Sequence, residues 1–464
     1  MKTLHLTNAW HEKSGGISTF YRALIAAANR NQQEIRLVVP GSADRVEEVG
    51  EFARIYHVAG PRAWLNSNYR IIFPSQFVTK GSRLQNILAF ERPDLIGICD
   101  KYTLHYLGPL LRMRLLPAID FRPVIVGVSQ ERMDDNVRAY FGSIPFARKF
   151  CALYMRWLYF PFFDHHIVNS EYTAQELHAA SQGHMVPRST WIRPMGVDLE
   201  YFSPQRRRPD HRRRLLQNFG VSDDATLLLY AGRLVPEKNL GLLFDLASHL
   251  ARHSRRDYRL LVVGDGIERE HWERKMLREL AGRVVFFGHI VEKDVLADLY
   301  ANCDVFVHPN PREPFGIAPL EAMASGLPLV APDSGGVISY ANMRNAWTVN
   351  ADVESFARAI EEVMANPSLA ADKTAAALAT AQEYRWDRVA QSYLELYAQL
   401  GEIHANSGSV TNAAFSSTQA TGVQLALMRG VSVAAQGGFK VWTKLTSGPR
   451  SRRRPMAANP AEPS

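Results

Sequence analysis

The chain has 464 residues, 46% hydrophobic and 22% charged, the balance of an ordinary folded protein with room for two separate cores. Its formal charge of +8 is concentrated at one end. Residues 405–464 carry Arg429, Lys440, Lys444, Arg450, Arg452, Arg453 and Arg454 against Glu462 alone, which leaves about +2 elsewhere. An excess confined to a tail, with no recognised binding module beside it, argues against a nucleic-acid binder.

No apolar run approaches the roughly 18–20 residues that a membrane-spanning helix needs. The opening MKTLHLTNAW reads as a strand and lacks the apolar core of a signal peptide. Cys99, Cys151 and Cys303 fall in apolar stretches without metal-ligand spacing, which predicts reduced core thiols and a cytosolic setting.

In chain order, Thr3–Asn8, Ile35–Val39, Leu95–Cys99, Val124–Val128 and His166–Asn169 read as strands, with helices such as Ile17–Arg30 and Glu171–Ala180 between them. A Pro/Arg-rich segment around Pro194–Arg214 interrupts the pattern. It then restarts with Thr226–Ala231, Arg259–Val263, Val284–Phe287, Asp304–His308 and Pro328–Ala331. Near-continuous apolar strands separated by helices predict parallel sheets covered on both faces. The expected fold class is therefore α/β: two Rossmann-like, doubly wound domains facing a central cleft. Ligands of such sheets lie beyond the carboxyl ends of the strands, so the residues that follow each strand are the candidates.

After the first strand, Gly15 and Gly16 remove side chains where a helix begins, which suits an anion approaching the backbone or a simple turn. After Val124–Val128 come Ser129, Gln130, Glu131 and Arg132, followed by Met133, Asp134, Asp135 and Asn136; Glu131 or Asp134 would suit an acceptor hydroxyl or a plain exposed loop. His11, beside the glycine pair, is a further candidate. The segment FARKFCALYMRWLYFPFF, residues 146–163, plotted as a helix puts Arg148, Lys149 and Arg156 on one side. Phe146, Phe150, Leu153, Tyr154 and Trp157 cluster on the other. Such a helix either lies on an anionic membrane or packs on its own sheet with its charges in water.

In the second half, Arg233 and Lys238 flank a Pro-Glu turn, a guanidinium fork and a point charge suited to a diphosphate. Gly264 and Gly266, in VVGDG, would let a nucleotide lie on the backbone. EPFGIAPLEAMASGLPLVA follows the strand Asp304–His308. It sets Glu313 in a loop, Phe315, Gly316 and Ile317 at a helix start, and Glu321 in the first helical turn, with Gly326 as C-terminal cap. Carboxylates accept well from vicinal sugar or ribose hydroxyls, and free N–H groups suit phosphate. A loop carboxylate plus a helix-dipole Glu is the plainer alternative.

Taken in order, SGGI, MGVDLEYF, AGRLVPEKN, VVGDG, FFGHI and EPFGIAPLEAMASGLPLVA resemble the retaining glycosyltransferases of family 4, with the GT-B fold, over about residues 1–400. The resemblance implies an acceptor-side domain over 1–193 and a donor-side domain over 194–385. It further implies a helix over 386–403 returning to the first domain. Residues 404–464 form a basic tail whose composition predicts disorder and whose charge suits anionic lipid.

By the same resemblance, Glu313 holds the donor sugar, Glu321 the ribose, and backbone groups of Phe315–Ile317 the sugar and phosphates. Arg233 and Lys238 neutralise the diphosphate, which Gly16 approaches from the other domain. No essential metal or other cofactor is expected, and no Asp-x-Asp pair follows a strand. The implied activity is retaining hexosyl transfer from a UDP- or GDP-sugar to a glycan or lipid-linked acceptor, in bacterial cell-surface polysaccharide or glycolipid synthesis. The 146–163 helix and the basic tail together predict peripheral contact with anionic membrane, at the cytoplasmic face. Many members carry a His in the loop here occupied by Glu131; this chain has none. The rival readings are another GT-B enzyme, such as a nucleotide-sugar epimerase or glycogen-type synthase, and a non-catalytic sugar-nucleotide-binding scaffold. Alanine at Glu313 or Lys238 is expected to lower transfer sharply and spare the fold.

Overall fold

The computed structural model describes residues 1–10, 15–63, 70–116, 118–141, 146–181, 190–218, 222 and 224–406. His11 and the basic tail from residue 407 lie outside the described residues.

The first sheet contains β1 (Thr3–Thr7), β2 (Ile35–Gly41), β3 (Arg45–Glu48), β4 (Ala53–Ala59), β5 (Leu95–Cys99), β6 (Val124–Ser129), β7 (His165–Val168) and β8 (Thr190–Ile192). Their spatial order is β3-β4-β2-β1-β5-β6-β7-β8. Pairing is parallel except at the β3–β4 edge. Every residue of β1, β5 and β6 is buried, as expected of strands covered by helices on both faces.

The second sheet contains β9 (Thr226–Ala231), β10 (Tyr258–Val263), β11 (Val284–Gly288), β12 (Val305–Val307), β13 (Leu329–Pro332) and β14 (Trp347–Val349). Their order is β11-β10-β9-β12-β13-β14, all parallel, with Val305 opposite Leu228. Each sheet therefore reverses its winding beside its first strand, β1 between β2 and β5, and β9 between β10 and β12. The loops leaving the two strands at such a reversal diverge and open a crevice. After β9 and β12 those loops carry Arg233, Lys238 and Glu313.

The lobes share one apolar cluster, while two further clusters each serve a single lobe. The shared cluster is built around helix Gly16–Arg30 and the terminal helix Trp386–Asn406, which crosses back to cover it. Phe20 meets Tyr393 edge-on at 4.8 Å, and the Tyr393 hydroxyl donates to the Arg193 carbonyl at 2.8 Å. The two crossing segments also pair with each other: Val197 N–H donates to Tyr384 O at 2.8 Å, and Trp386 N–H to Val197 O at 3.2 Å.

Two expectations need correction. Glu321 is the fifth residue of helix Ile317–Ala324 and so lies in its second turn, because the helix begins only after Gly316, whose φ of 89° is left-handed. The aromatic face drawn for residues 146–163 is divided. Tyr154 turns inward and is buried beside Cys151 and Met155, whereas Phe146, Phe150, Leu153 and Trp157 are exposed. The helix over Ala147–Tyr154 continues as one π-helical stretch, Met155–Tyr159.

Candidate active site

Lys238 ends a short 3-10 turn, Pro236–Lys238, just beyond β9. Its ammonium reaches both oxygens of Glu313, at 2.8 Å to Oε1 and 2.7 Å to Oε2. The Asn310 amide donates to Glu313 Oε2 at 3.1 Å, and His308 Nε2 stands 3.9 Å from the same oxygen. Burial alone would raise the Glu313 carboxyl; Lys238, with His308 and Asn310, reverses this and holds its pKa down at about 2. Burial depresses His308 to about 4, which leaves it neutral near pH 7. Among the described residues its Nε2 has no hydrogen-bond partner.

An ammonium has three N–H donors. Two of those of Lys238 are engaged by Glu313, which leaves one for an anion in the crevice. Arg233, half-exposed in the same loop, donates from Nη2 to Glu237 at 2.9 Å. Tyr230 Oη donates to the Arg233 carbonyl at 3.1 Å and steadies the backbone there.

The loop carrying Glu313 is also where the lobes touch. Ser170 and Thr173 of the first lobe both donate to the Pro314 carbonyl, at 2.5 and 3.3 Å. Arg312 Nε lies 3.8 Å from Asp135. Gly16 of the first lobe lies against Ile317 of the second: a Cβ there would stand 2.8 Å from Ile317 Cδ1, the tip of a side chain able to shift. Gly15 has open space around it; its carbonyl accepts from Ser18 Oγ at 3.0 Å. The Phe315 side chain points into the core against Tyr340, 5.1 Å between ring centroids.

Gly264 and Gly266 are also required by local packing. Cβ atoms there would lie 1.8 Å from Gly232 O and 2.2 Å from Leu234 O, so the missing side chains make room for the neighbouring loop backbone. That loop is stitched to theirs, with Leu234 N–H donating to Asp265 O at 2.9 Å. These glycines let the loop after β10 pack directly on the loop after β9.

Glu321 accepts from the Tyr300 hydroxyl at 2.9 Å. It keeps partial exposure, but protein encloses it on most sides. That desolvation, with Asp198 nearby and only Tyr300 and Lys293 opposing, pushes its pKa up to about 7.

On the facing lobe, Lys101 is buried and bridges Glu176 Oε2 at 2.5 Å and the Glu131 carbonyl at 2.6 Å. Asp134 is clamped by Arg132 through two hydrogen bonds, 3.0 and 2.6 Å. Glu131 is less committed: its Oε2 accepts from Asn136 at 3.0 Å, and its Oε1 has no hydrogen-bond partner among the described residues. Burial raises its pKa, against the pull of Lys101, Asn136 and Arg233 across the crevice. The sequence reading missed His308, Asn310, Tyr300, Ser170 and Thr173. His308 and Asn310 had a readable signal, two polar residues directly after an apolar strand. The other three had none.

No group of three or more His, Cys, Asp or Glu among the described residues could hold a metal ion, and all three cysteines are buried and free.

The profile described as Glycosyltransferase Family 4 matches residues 14–201, and that described as Glycosyl transferases group 1 matches residues 211–380. The chain belongs to the family 4 glycosyltransferases of the GT-B fold and is a hexosyltransferase that takes its sugar from a nucleotide-sugar donor. It is similar to a Mycobacterium tuberculosis GDP-mannose-dependent alpha-(1-6)-phosphatidylinositol dimannoside mannosyltransferase. The two are 26% identical over 402 residues, 85% of this chain and 95% of that one. A Mycolicibacterium smegmatis GDP-mannose-dependent alpha-mannosyltransferase is 39% identical over 154 residues, 33% of this chain and 36% of its own. Among solved structures, sucrose-phosphate synthase from Thermosynechococcus elongatus superposes with a TM-score of 0.67 at 22% identity, covering 86% of this chain and 99% of that one. Anabaena HepE in complex with UDP-glucose gives 0.62 at 20%, covering 86% and 100%. These two likenesses speak to the fold alone.

Proposed function

We propose that the protein transfers a mannose- or glucose-type sugar from its GDP or UDP carrier, with retention of configuration, to a glycan or lipid-linked acceptor. The work would be done on the cytoplasmic side of the membrane, in the synthesis of a bacterial surface polysaccharide or glycolipid. The observation that carries this reading is the Lys238–Glu313 pair at the winding reversal of the second sheet, where Gly16 and Ile317 bring the lobes together. GDP-mannose is the first donor to test, since two relatives are named for it.

In the reaction, the anomeric carbon–oxygen bond breaks while the acceptor oxygen bonds to the same carbon from the same face. The acceptor proton passes to the departing diphosphate. Positive charge grows on the sugar and negative charge on the diphosphate. Arg233 and the third N–H of Lys238 stabilise the diphosphate most as that charge develops. Glu313 orients the sugar hydroxyls, fixed from behind by Asn310 and His308. Phe315, Gly316 and Ile317 offer backbone groups to sugar and phosphate, Gly16 approaches from the other lobe, and Glu321 takes the ribose.

The test is a thermal-shift series with GDP, UDP and ADP, followed by incubation with the sugar form of the tightest binder. One nucleotide should raise the melting point, by mass action worth about 2.7 kcal/mol at a hundredfold excess over Kd. The released or transferred sugar should keep its anomeric configuration by NMR. An inverted product, an epimerised nucleotide sugar, or no shift with any nucleotide would overturn the reading.

Glu131 is assigned to the acceptor side, because Asp134 is already spent on Arg132. Glu131→Gln is expected to slow transfer about tenfold while leaving the nucleotide Kd unchanged. Equal loss of nucleotide binding would move Glu131 to the donor side.

A further inference from the structure

The first sheet has a winding reversal of its own, with β1 between β2 and β5, and the loops leaving β1 and β5 open a crevice on the first lobe. Asn8, directly after β1, donates from Nδ2 to Asp100 Oδ2 at 3.1 Å and to Thr103 Oγ1 at 2.8 Å, which ties the two loops together. Asp100 Oδ1 in turn accepts from the N–H groups of Tyr102, Thr103 and Leu104, at 3.0, 2.6 and 2.8 Å. The turn that carries Tyr102 is therefore held in place before any ligand arrives.

Tyr102 keeps 41% of its surface open although protein surrounds it on most sides, which puts the ring in a concavity. That desolvation, with Glu131 nearby, raises its pKa, so the hydroxyl keeps its proton. Asn136, on the helix Met133–Phe141, spends both amide hydrogens here. One reaches the Tyr102 oxygen at 3.0 Å and the other Glu131 Oε2 at 3.0 Å. Among the described residues, the Tyr102 proton and Glu131 Oε1 are left for a ligand.

Charge narrows the class of that ligand. Residues 100–103 and 130–136, after β5 and β6, carry Asp100, Glu131, Asp134 and Asp135 against Lys101 and Arg132. Both cations are committed. Lys101 is buried on Glu176 and the Glu131 carbonyl, and Arg132 is held by Asp134 and the Tyr172 carbonyl. A phosphate set against Tyr102 would meet carboxylates with no cation of this wall to offset them. An uncharged ring with C–H groups on its face and hydroxyls at its edge meets no such penalty. Its face can lie on the tyrosine while its hydroxyls accept from Tyr102 and donate to Glu131.

We propose that Tyr102 is the stacking platform for a neutral pyranose at the reacting end of the acceptor, and that this wall rejects a phosphorylated one. The proposal rests on the reading of Glu131 as an acceptor-side group and narrows it. The first lobe recognises a neutral sugar residue, whether that residue ends a glycan or a glycolipid.

The experiment is saturation-transfer NMR on the full chain with methyl α-mannopyranoside, methyl α-glucopyranoside and mannose-6-phosphate, with and without GDP or UDP. Its readout needs neither transfer nor a known donor, so it can fail while nucleotide binding holds, and hold while nucleotide binding fails. One neutral glycoside is expected to be saturated, most on the C–H protons of one ring face, and the sugar phosphate at least about tenfold less. Tyr102→Ala should weaken glycoside binding about tenfold with an unchanged melting midpoint. Tyr102→Leu, which fills the space without a flat face, repeats the test with less risk to the fold. Tyr102→Phe, which keeps the ring and loses the proton, should retain the face-selective pattern at lower intensity. Phe90→Ala, 73% exposed on helix Arg83–Glu91, should match the wild type. Equal or stronger binding of mannose-6-phosphate, no saturation of either glycoside, or a wild-type signal in both Tyr102→Ala and Tyr102→Leu would overturn the proposal.

Discussion

Lys238→Ala and Glu313→Ala should each cut transfer at least about a hundredfold, the scale of losing one fixed electrostatic contact to a developing charge. Each should also destabilise the fold by about 3 kcal/mol, because removing one partner strands the other charge in a site that is only 17% and 11% exposed. This revises the expectation that alanine would spare the fold. The double variant Lys238→Ala/Glu313→Ala should be as inactive as either single variant yet recover most of the lost stability, since neither charge remains. Urea unfolding and initial rates on the same preparations read both effects. Additive destabilisation would show the pair is uncoupled, and a wild-type rate in either single variant would remove the site. The sign with pH follows from the depressed carboxyl. Its contribution is fully present above the ordinary value of 4.5 and is lost as pH falls toward about 2.

Nucleotide affinity should rise with pH through Glu321. Its folded pKa near 7 lies above the ordinary 4.5, so between those values the folded chain holds a proton that the unfolded chain releases. Stability from this group is therefore present at low pH and declines as pH rises from about 4.5 to 7. Ribose hydroxyls donate to the carboxylate and favour its ionised form, so binding expels the proton. Affinity should climb by up to about tenfold per pH unit below 7 and flatten above it. Calorimetry at pH 6 and pH 8, in buffers of different ionisation heat, measures both the Kd and the released proton. Glu321→Gln retains the phosphate's own titration and isolates the difference. An identical pH slope in wild type and variant would detach Glu321 from the ribose.

The strands that place the site were legible because each is a short apolar run followed by glycine or charge. Thr226–Ala231 and Leu95–Cys99 are found at the limits the sequence suggests. The edges were not. β3, Arg45–Glu48, is three charged residues and one valine, and its strand character comes from pairing with β4 rather than from its own pattern. At the site, residue types were readable and partnerships were not. Spacing set Glu313 and Glu321 near a helix start. It could not show that one would be drawn down to about 2 by a lysine 75 positions earlier, and the other pushed up to about 7 beside Tyr300. Nor does a helical plot say which aromatics turn inward. Tyr154 was sorted from Phe150 and Trp157 by a carbonyl 53 residues away.

The pairing of Val197 with Tyr384 and Trp386 has a topological consequence. The second lobe is an insertion in the first, entered and left through two chain segments that hydrogen-bond to each other at one place. Opening of the cleft would bend both of these crossings where the short ladder joins them. It follows that residues 1–193 expressed alone would leave Phe20 and its neighbours bare. A complete first lobe needs the distant stretch 386–406 restored to it, so the molecule cannot be divided by a single cut.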